Sequence, residues 1–143
     1  MAKTKMKELI DGLNEDLANE YAAIITYRTY ASEVKGPWRQ ELRNFFAAEI
    51  PDEMLHAQML CDKIVALGGD PATSAKPVKK AKDARQMLAN ALEDEKATIA
   101  RYIQRRKQAE ALEEVGLVVE IDNLIADETR HRDELALMLA RWE

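Results

Sequence analysis

The chain has 143 residues, of which 47% are hydrophobic and 33% charged, with only 5 Gly and 4 Pro. This composition favours a single all-α domain with a sizeable core. The net charge of −5 argues against nucleic acid as a partner, and the single cysteine, Cys61, excludes a disulfide framework and a thiolate metal site.

Glycine and proline fall almost entirely in three clusters that divide the chain into four long segments. Gly36-Pro37 ends the first, residues 68–77 end the second, and Gly116 marks the third break. Within the segments, apolar residues recur at the spacing of an amphipathic helix. The sequence therefore predicts four helices, over residues 4–34, 37–67, 82–111 and 115–141.

The first predicted helix starts in an N-terminal segment that lacks the apolar core of a signal peptide. No later segment is apolar enough over a sufficient length to span a membrane. We therefore expect a cytoplasmic protein without a membrane partner.

Carboxylates and imidazoles interrupt the apolar stripe of every predicted helix near its middle. A lone Glu stands in the first and third helices, and a Glu-x-x-His motif containing one of the chain's two histidines stands in the second and fourth. An isolated buried carboxylate is too costly to tolerate, so four at one level require cations. Four-helix bundles hold metal pairs with this ligand pattern. The candidate metal ligands are Glu20, Glu53, His56, Glu95, Glu128 and His131.

The spacing of these residues predicts that they meet. The midpoint of Glu20 and Glu53 is 36.5, at the first turn, and that of Glu95 and Glu128 is 111.5, near the third. A shift of 75 residues superimposes the first pair on the second, so the sequence contains one helical hairpin twice. We predict an antiparallel four-helix bundle over residues 1–143, formed by two hairpins and a long crossover.

Four carboxylates would balance the charge of two divalent ions, and their oxygen and nitrogen donors suit Fe(II), Mn(II) or Zn(II). Glu53 and Glu128 are expected to bridge, because each lies next to its own histidine. Six protein ligands leave positions open for dioxygen, peroxide or water. The expected terminal ligands are Glu20, His56, Glu95 and His131.

Four further residues are predicted to support the ligands. Asp52 and Asp127 precede the two motif glutamates, and each is expected to accept a hydrogen bond from the histidine of the other motif. Tyr27 and Tyr102 lie two helical turns beyond the lone glutamates. We expect them to hydrogen-bond a ligand carboxylate; a redox role is the alternative.

The order Glu, Glu-x-x-His, Glu, Glu-x-x-His, spaced 33, 42 and 33, resembles the ferritin-like superfamily and most of all bacterioferritin, from about Leu9 to Leu139. The resemblance implies a ferroxidase that holds two Fe ions per subunit, oxidises Fe(II) with dioxygen or peroxide, and stores or detoxifies iron in a homo-oligomer. It also implies that the six candidate ligands are catalytic, and that Tyr27 is the tyrosine beside the centre.

Two departures from that family leave alternatives open. Only 12 residues follow His131, which is too few for the fifth helix of bacterioferritin, so a dimer, a 12-subunit shell and a 24-subunit shell all remain options. Rubrerythrins carry an extra Glu where this chain has Thr98. The alternative function is therefore a di-iron or di-manganese peroxidase or oxidase without mineral storage.

Three other residues lie in or near the first Glu-x-x-His motif and are interpreted separately. Met54 matches the methionine that binds haem b in bacterioferritin, but methionine is also a common apolar filler at interfaces, and Leu55 and the short C-terminus favour that interpretation. Glu49 is either an additional iron site or, as we favour, a solvated or ion-paired carboxylate. Pro51 predicts a local kink or bulge.

Overall fold

The computed structural model describes residues 1–142, which contain four helices and no strand. Every boundary lies within two residues of its predicted position, and the second helix continues through Pro51. No helix in this range combines the length and apolarity that a membrane crossing requires. The helices are α1 (Ala2–Glu33), α2 (Arg39–Ala66), α3 (Ala84–Ala111) and α4 (Val115–Leu139).

The turns between helices confirm two of the three predicted glycine positions. Gly36 and Gly68 adopt φ values of 109° and 91°, which glycine tolerates because it lacks a Cβ. Gly116, by contrast, lies inside the first turn of α4. The third turn instead places Glu113 at a φ of 58°, and backbone hydrogen bonds from Glu113 and Glu114 to the last turn of α3 hold it there.

The crossover, residues 67–83, runs along α1 and joins the two hairpins over the length of the bundle. Side chains and backbone of α1 bind it at three levels. These contacts are Asn14 Nδ2 to Asp70 O at 2.9 Å, Lys76 N to Ala18 O at 3.1 Å and Tyr30 Oη to Lys79 O at 2.7 Å. Because its backbone is bonded to α1, the connection fixes the second hairpin against the first.

The core consists of two hydrophobic clusters separated by a polar layer. One cluster centres on Leu13, Leu17 and Ile121, and the other on Phe46 and Leu135. In every helix, the metal-ligand candidates lie between the residues of the first cluster and those of the second. The apolar clusters therefore keep bulk water away from a polar layer at mid-height.

Candidate metal centre

The six candidate ligands meet at mid-height of the bundle, and all are buried. Their ligand atoms form two overlapping groups, each with all atoms within 4.8 Å of one another. Glu53 and Glu128 belong to both groups, as expected of carboxylates that bridge two ions. The groups are Glu20, Glu53, His56 and Glu128, and Glu53, Glu95, Glu128 and His131.

Each of the six residues presents one buried atom that has no hydrogen-bond partner. These atoms are Glu20 Oε2, Glu53 Oε1, His56 Nδ1, Glu95 Oε2, Glu128 Oε1 and His131 Nδ1. Within residues 1–142, only Glu49 Oε2 and Arg101 Nε share this condition. An unpaired buried polar atom is costly, and six that converge on one layer fit a pair of bound cations.

The shared carboxylates resist ionisation when no cation is present. Burial raises the pKa of Glu53 well above its usual range, and the nearby charges of Glu20 and Glu128 raise it further. Burial likewise raises the pKa of Glu128, with Glu95 and Glu20 adding to the effect. Two divalent cations would neutralise this repulsion, so cation binding favours the ionised carboxylates.

The outer nitrogen of each imidazole bonds to an aspartate of the other motif. His56 Nε2 lies 3.0 Å from Asp127 Oδ2, and His131 Nε2 lies 3.1 Å from Asp52 Oδ2. The inner nitrogen, Nδ1, faces the carboxylates of the cluster in both cases. The predicted pairing of each aspartate with the histidine of the other motif is confirmed, and it orients Nδ1 towards the carboxylates at the centre of the layer.

Glu49 adds a carboxylate to one side of the centre only. Its Oε2 atom lies 2.7 Å from His131 Nε2, which supports the ion-paired interpretation of this residue. Burial by itself would lower the pKa of His131, but the adjacent carboxylates of Glu49 and Glu95 raise it to about 10. Glu49, Asp52 and His131 also form a third group of closely spaced potential ligands, so an additional metal position there stays the alternative interpretation of Glu49.

The two predicted tyrosines bond to ligand carboxylates across the seam between the hairpins. Tyr27 Oη in α1 donates to Glu95 Oε1 in α3 at 2.7 Å, and Tyr102 Oη in α3 donates to Glu20 in α1. Burial and the adjacent carboxylates raise the pKa of both phenols well above their usual range. Both side chains therefore remain neutral donors, and the predicted hydrogen-bonding role is confirmed.

A cavity of about 60 Å³ between α1 and α3 connects with this layer. Three of the candidate ligands, Glu53, Glu95 and Glu128, contribute to its wall, together with polar side chains such as Thr98 and Arg101. The Thr98 hydroxyl accepts a hydrogen bond from Arg101 Nη2 at 2.9 Å. Arg101 was not among the residues predicted from the sequence, although it lies three residues after Thr98, which itself lies three residues after Glu95, and this spacing is a readable signal.

Met54 lies apart from the buried cluster. Its side chain is 54% exposed on the outer surface of α2, next to Leu55, which is 69% exposed. A haem at Met54 would therefore bind outside the bundle of one chain, and the favoured interpretation of Met54 as an apolar residue at an interface stays a prediction.

Comparisons with known proteins are consistent with this geometry. A family model described as the ferritin-like domain matches residues 10–143. A ferritin-like, diiron-carboxylate protein from Bacillus anthracis str. Ames is 50% identical, with a TM-score of 0.93 over 94% of this chain and 97% of that chain.

Two more distant structures share the fold. Dps from Thermosynechococcus elongatus is 18% identical, with a TM-score of 0.92 over 99% of this chain and 96% of that chain. The bacterioferritin of Desulfovibrio desulfuricans is 22% identical, with a TM-score of 0.87 over 98% of this chain and 82% of that chain. No curated protein matches the sequence.

Proposed function

Since this chain belongs to the ferritin-like domain family, we propose that it is a ferroxidase that oxidises Fe(II) with dioxygen or peroxide. The observation that carries the proposal is the pair of overlapping ligand groups that share Glu53 and Glu128. The 50% identical relative is described as a diiron-carboxylate protein, which supports iron over manganese or zinc as the metal.

Each Fe(II) ion would take one terminal glutamate, one histidine and both shared glutamates. Four carboxylates balance the charge of two Fe(II) ions, so the loaded site is close to neutral. Two adjacent ions can together supply two electrons to one oxidant molecule. One ion would take Glu20 and His56 as its terminal ligands, and the other would take Glu95 and His131.

The chain's own residues prepare the site and handle its protons. The raised pKa values of Glu53 and Glu128 mean that protons leave these carboxyls when cations enter. Tyr27 and Tyr102 each hold one oxygen of a terminal glutamate, which leaves the other oxygen free to bind metal. The cavity between α1 and α3 offers a small molecule a polar route to the shared glutamates.

The peroxidase alternative has less support. Thr98 occupies the position where rubrerythrins carry an additional glutamate, and its hydroxyl is bonded to Arg101 rather than supplying a seventh ligand. A peroxidase would turn over with a reductant and would not accumulate a mineral core.

Iron storage requires an oligomer, and the duplicated hairpin offers an internal comparison. On the first hairpin, Met54 and Leu55 are 54% and 69% exposed. The equivalent positions on the second hairpin are Thr129 and Arg130. The apolar face of the first hairpin supports a homo-oligomer in which a second copy covers it, and we propose that a cytoplasmic shell of 12 or 24 subunits stores the product.

The decisive experiment follows oxygen uptake while Fe(II) is added at increasing ratios. Both Glu53→Ala and Glu128→Ala should abolish fast oxidation, because each removes a ligand of both ions. Glu134→Ala, an exposed glutamate in α4, is the matched control and should oxidise iron normally. Full activity in either of the first two variants would contradict the shared-site model.

Particle size separates storage from oxidation alone. A hollow shell that loads many irons per chain supports storage. Oxidation that stops at two irons per chain in a dimer rules storage out, and sustained turnover with peroxide and a reductant would favour the peroxidase alternative.

A further inference from the structure

A buried ion pair joins α1 to α3 below the metal layer. Asp16 is 1% exposed and Arg105 is 4% exposed. The Arg105 guanidinium donates two hydrogen bonds to the Asp16 carboxylate, from Nε at 2.8 Å and from Nη2 at 3.1 Å. Arg105 Nη1 also donates to Gln108 at 2.8 Å. Neither charged residue is among the candidate ligands.

The ion pair between Asp16 and Arg105 is expected to cost the folded protein stability. Burying two charges costs free energy that their attraction repays only in part, and apolar replacements of such pairs are often neutral or stabilising. Gly12 lies under the guanidinium, where a Cβ would be 2.2 Å from Nη1. Glycine is among the least favourable residues inside a helix. Two buried charges and a glycine inside a helix are each unfavourable. Their combination at one contact indicates that the contact fixes the position of α3 relative to α1.

That position is next to one side of the metal centre. Asp16 lies one helical turn before Glu20 in α1, and Arg105 lies three residues after Tyr102 in α3, so both bonds between the helices stack on one seam. Tyr102 donates to Glu20, the terminal ligand candidate on this side. The ion pair therefore lies within about one helical turn of the bond that holds Glu20.

The other side of the centre has no such pair, as the internal repeat shows. The positions equivalent to Gly12, Asp16 and Arg105 are Met87, Ala91 and Tyr30. Tyr30 packs against Phe46 with ring centroids 5.7 Å apart and bonds to the crossover backbone instead. The two metal positions thus have ligands of the same residue types but different supports.

We propose that Asp16 and Arg105 are positioning residues that hold Tyr102 against Glu20 and thereby set the metal affinity of the Glu20/His56 position. The proposal rests on the proposed function in one respect, that the six ligands bind two divalent ions. It predicts that disruption of the pair weakens one position and spares the other.

The test uses Co(II) as the probe, under anaerobic conditions, with the occupancy of each position measured by anomalous diffraction at several Co(II) concentrations. The double variant Asp16→Leu/Arg105→Met removes both charges, and Gly12→Ala keeps both but displaces the guanidinium. Each should lower Co(II) affinity at the Glu20/His56 position about tenfold, which is the lower end of the range seen when a residue that supports a metal ligand is lost. Affinity at the Glu95/His131 position should not change.

Tyr30→Phe, at the position equivalent to Arg105, is the matched control and should leave the Glu20/His56 position unchanged. Equal weakening at both positions, or unchanged affinity in both folded variants, would overturn the proposal. If the double variant does not fold, Gly12→Ala and Arg105→Lys, which retains the charge but loses the two-pronged bond, decide the question.

These results are independent of oxidation. A wild-type chain that binds two Co(II) ions but fails to oxidise Fe(II) would contradict the proposed function and leave the positioning proposal standing. A wild-type chain that binds no Co(II) at these residues would overturn both.

Discussion

Glu49 places a carboxylate oxygen 2.7 Å from Nε2 of His131. The duplicated hairpin has Leu124 at the equivalent position, so His56 bonds to Asp127 without a second carboxylate at Nε2. Two imidazoles with the same sequence motif therefore have different surroundings.

The metal-free protein should lose stability as the pH rises. His131 has a pKa raised from 6.5 to about 10, so the folded chain keeps a proton that the unfolded chain releases. Its stabilising contribution is complete below pH 6.5 and is lost as the pH approaches 10. The raised pKa values of Glu53 and Glu128 act in the same direction. Thermal melting in EDTA between pH 6.5 and 9.5 should show a falling Tm.

Glu49→Gln tests the cause of that slope. The variant removes the carboxylate that contributes most to raising the pKa of His131, so its Tm should fall less steeply between pH 6.5 and 9.5. Glu41→Gln changes an exposed glutamate of the same helix and should keep the wild-type slope. The same steep slope in Glu49→Gln would show that Glu49 does not control the proton on His131.

Loss of Asp127 should cost more metal affinity than loss of Asp52. Asp127→Asn removes the carboxylate bonded to His56 Nε2, whereas Asp52→Asn leaves Glu49 to orient His131. We expect Asp127→Asn to weaken Co(II) binding about 10- to 100-fold, and Asp52→Asn to have a smaller effect. Calorimetric titration of the two variants provides the comparison; equal losses would mean that Glu49 does not substitute for Asp52.

The fold and the meeting of the ligands could be predicted because both follow from helical periodicity and the repeat. Glu20 and Glu53 are equally distant from the turn at Gly36, so they reach the same height in any tight antiparallel hairpin. The 75-residue repeat then places the second pair at that height in the other hairpin. These arguments need only the pitch of a helix and the position of a turn.

The features that the sequence did not predict break the repeat or depend on how the hairpins pack. Asp16 and Arg105 have no charged counterparts at the positions shifted by 75 residues, so the internal repeat does not indicate their pairing. Tyr27 is nearest in sequence to Glu20, yet it bonds to Glu95, because the facing of α1 and α3 is a property of the assembled bundle. Gly116 suggested the position of the third turn, but the residue with a positive φ in that turn is Glu113. Backbone hydrogen bonds hold Glu113 in this conformation and outweigh the preference for glycine.

Tyr27→Phe and Tyr102→Phe should slow iron oxidation and reduce stability. Each removes an O–H donor to a buried terminal carboxylate, and a hydrogen bond to a charged group contributes about 1.5–3 kcal/mol. The carboxylate that loses its donor can also rotate away from the metal position. Stopped-flow oxidation of Fe(II) and urea unfolding measure the two effects.

Tyr30→Phe is the control for those variants, because Tyr30 bonds to Lys79 O outside the metal layer. It should lose stability while its oxidation rate stays normal. A normal rate in both Tyr27→Phe and Tyr102→Phe would show that the phenols are not needed to hold the ligands.

Met54 should prove to be an apolar contact residue and not a haem ligand. Its side chain is 54% exposed beside Leu55, as expected for a residue that another copy covers. Protein purified from haem-supplemented cells should therefore lack a Soret band, and Met54→Leu, which keeps an apolar side chain of similar volume, should assemble normally. Met59→Leu, at a partly buried methionine of the same helix, is the control. A Soret band in the wild type that disappears in Met54→Leu but persists in Met59→Leu would instead establish haem binding at this position.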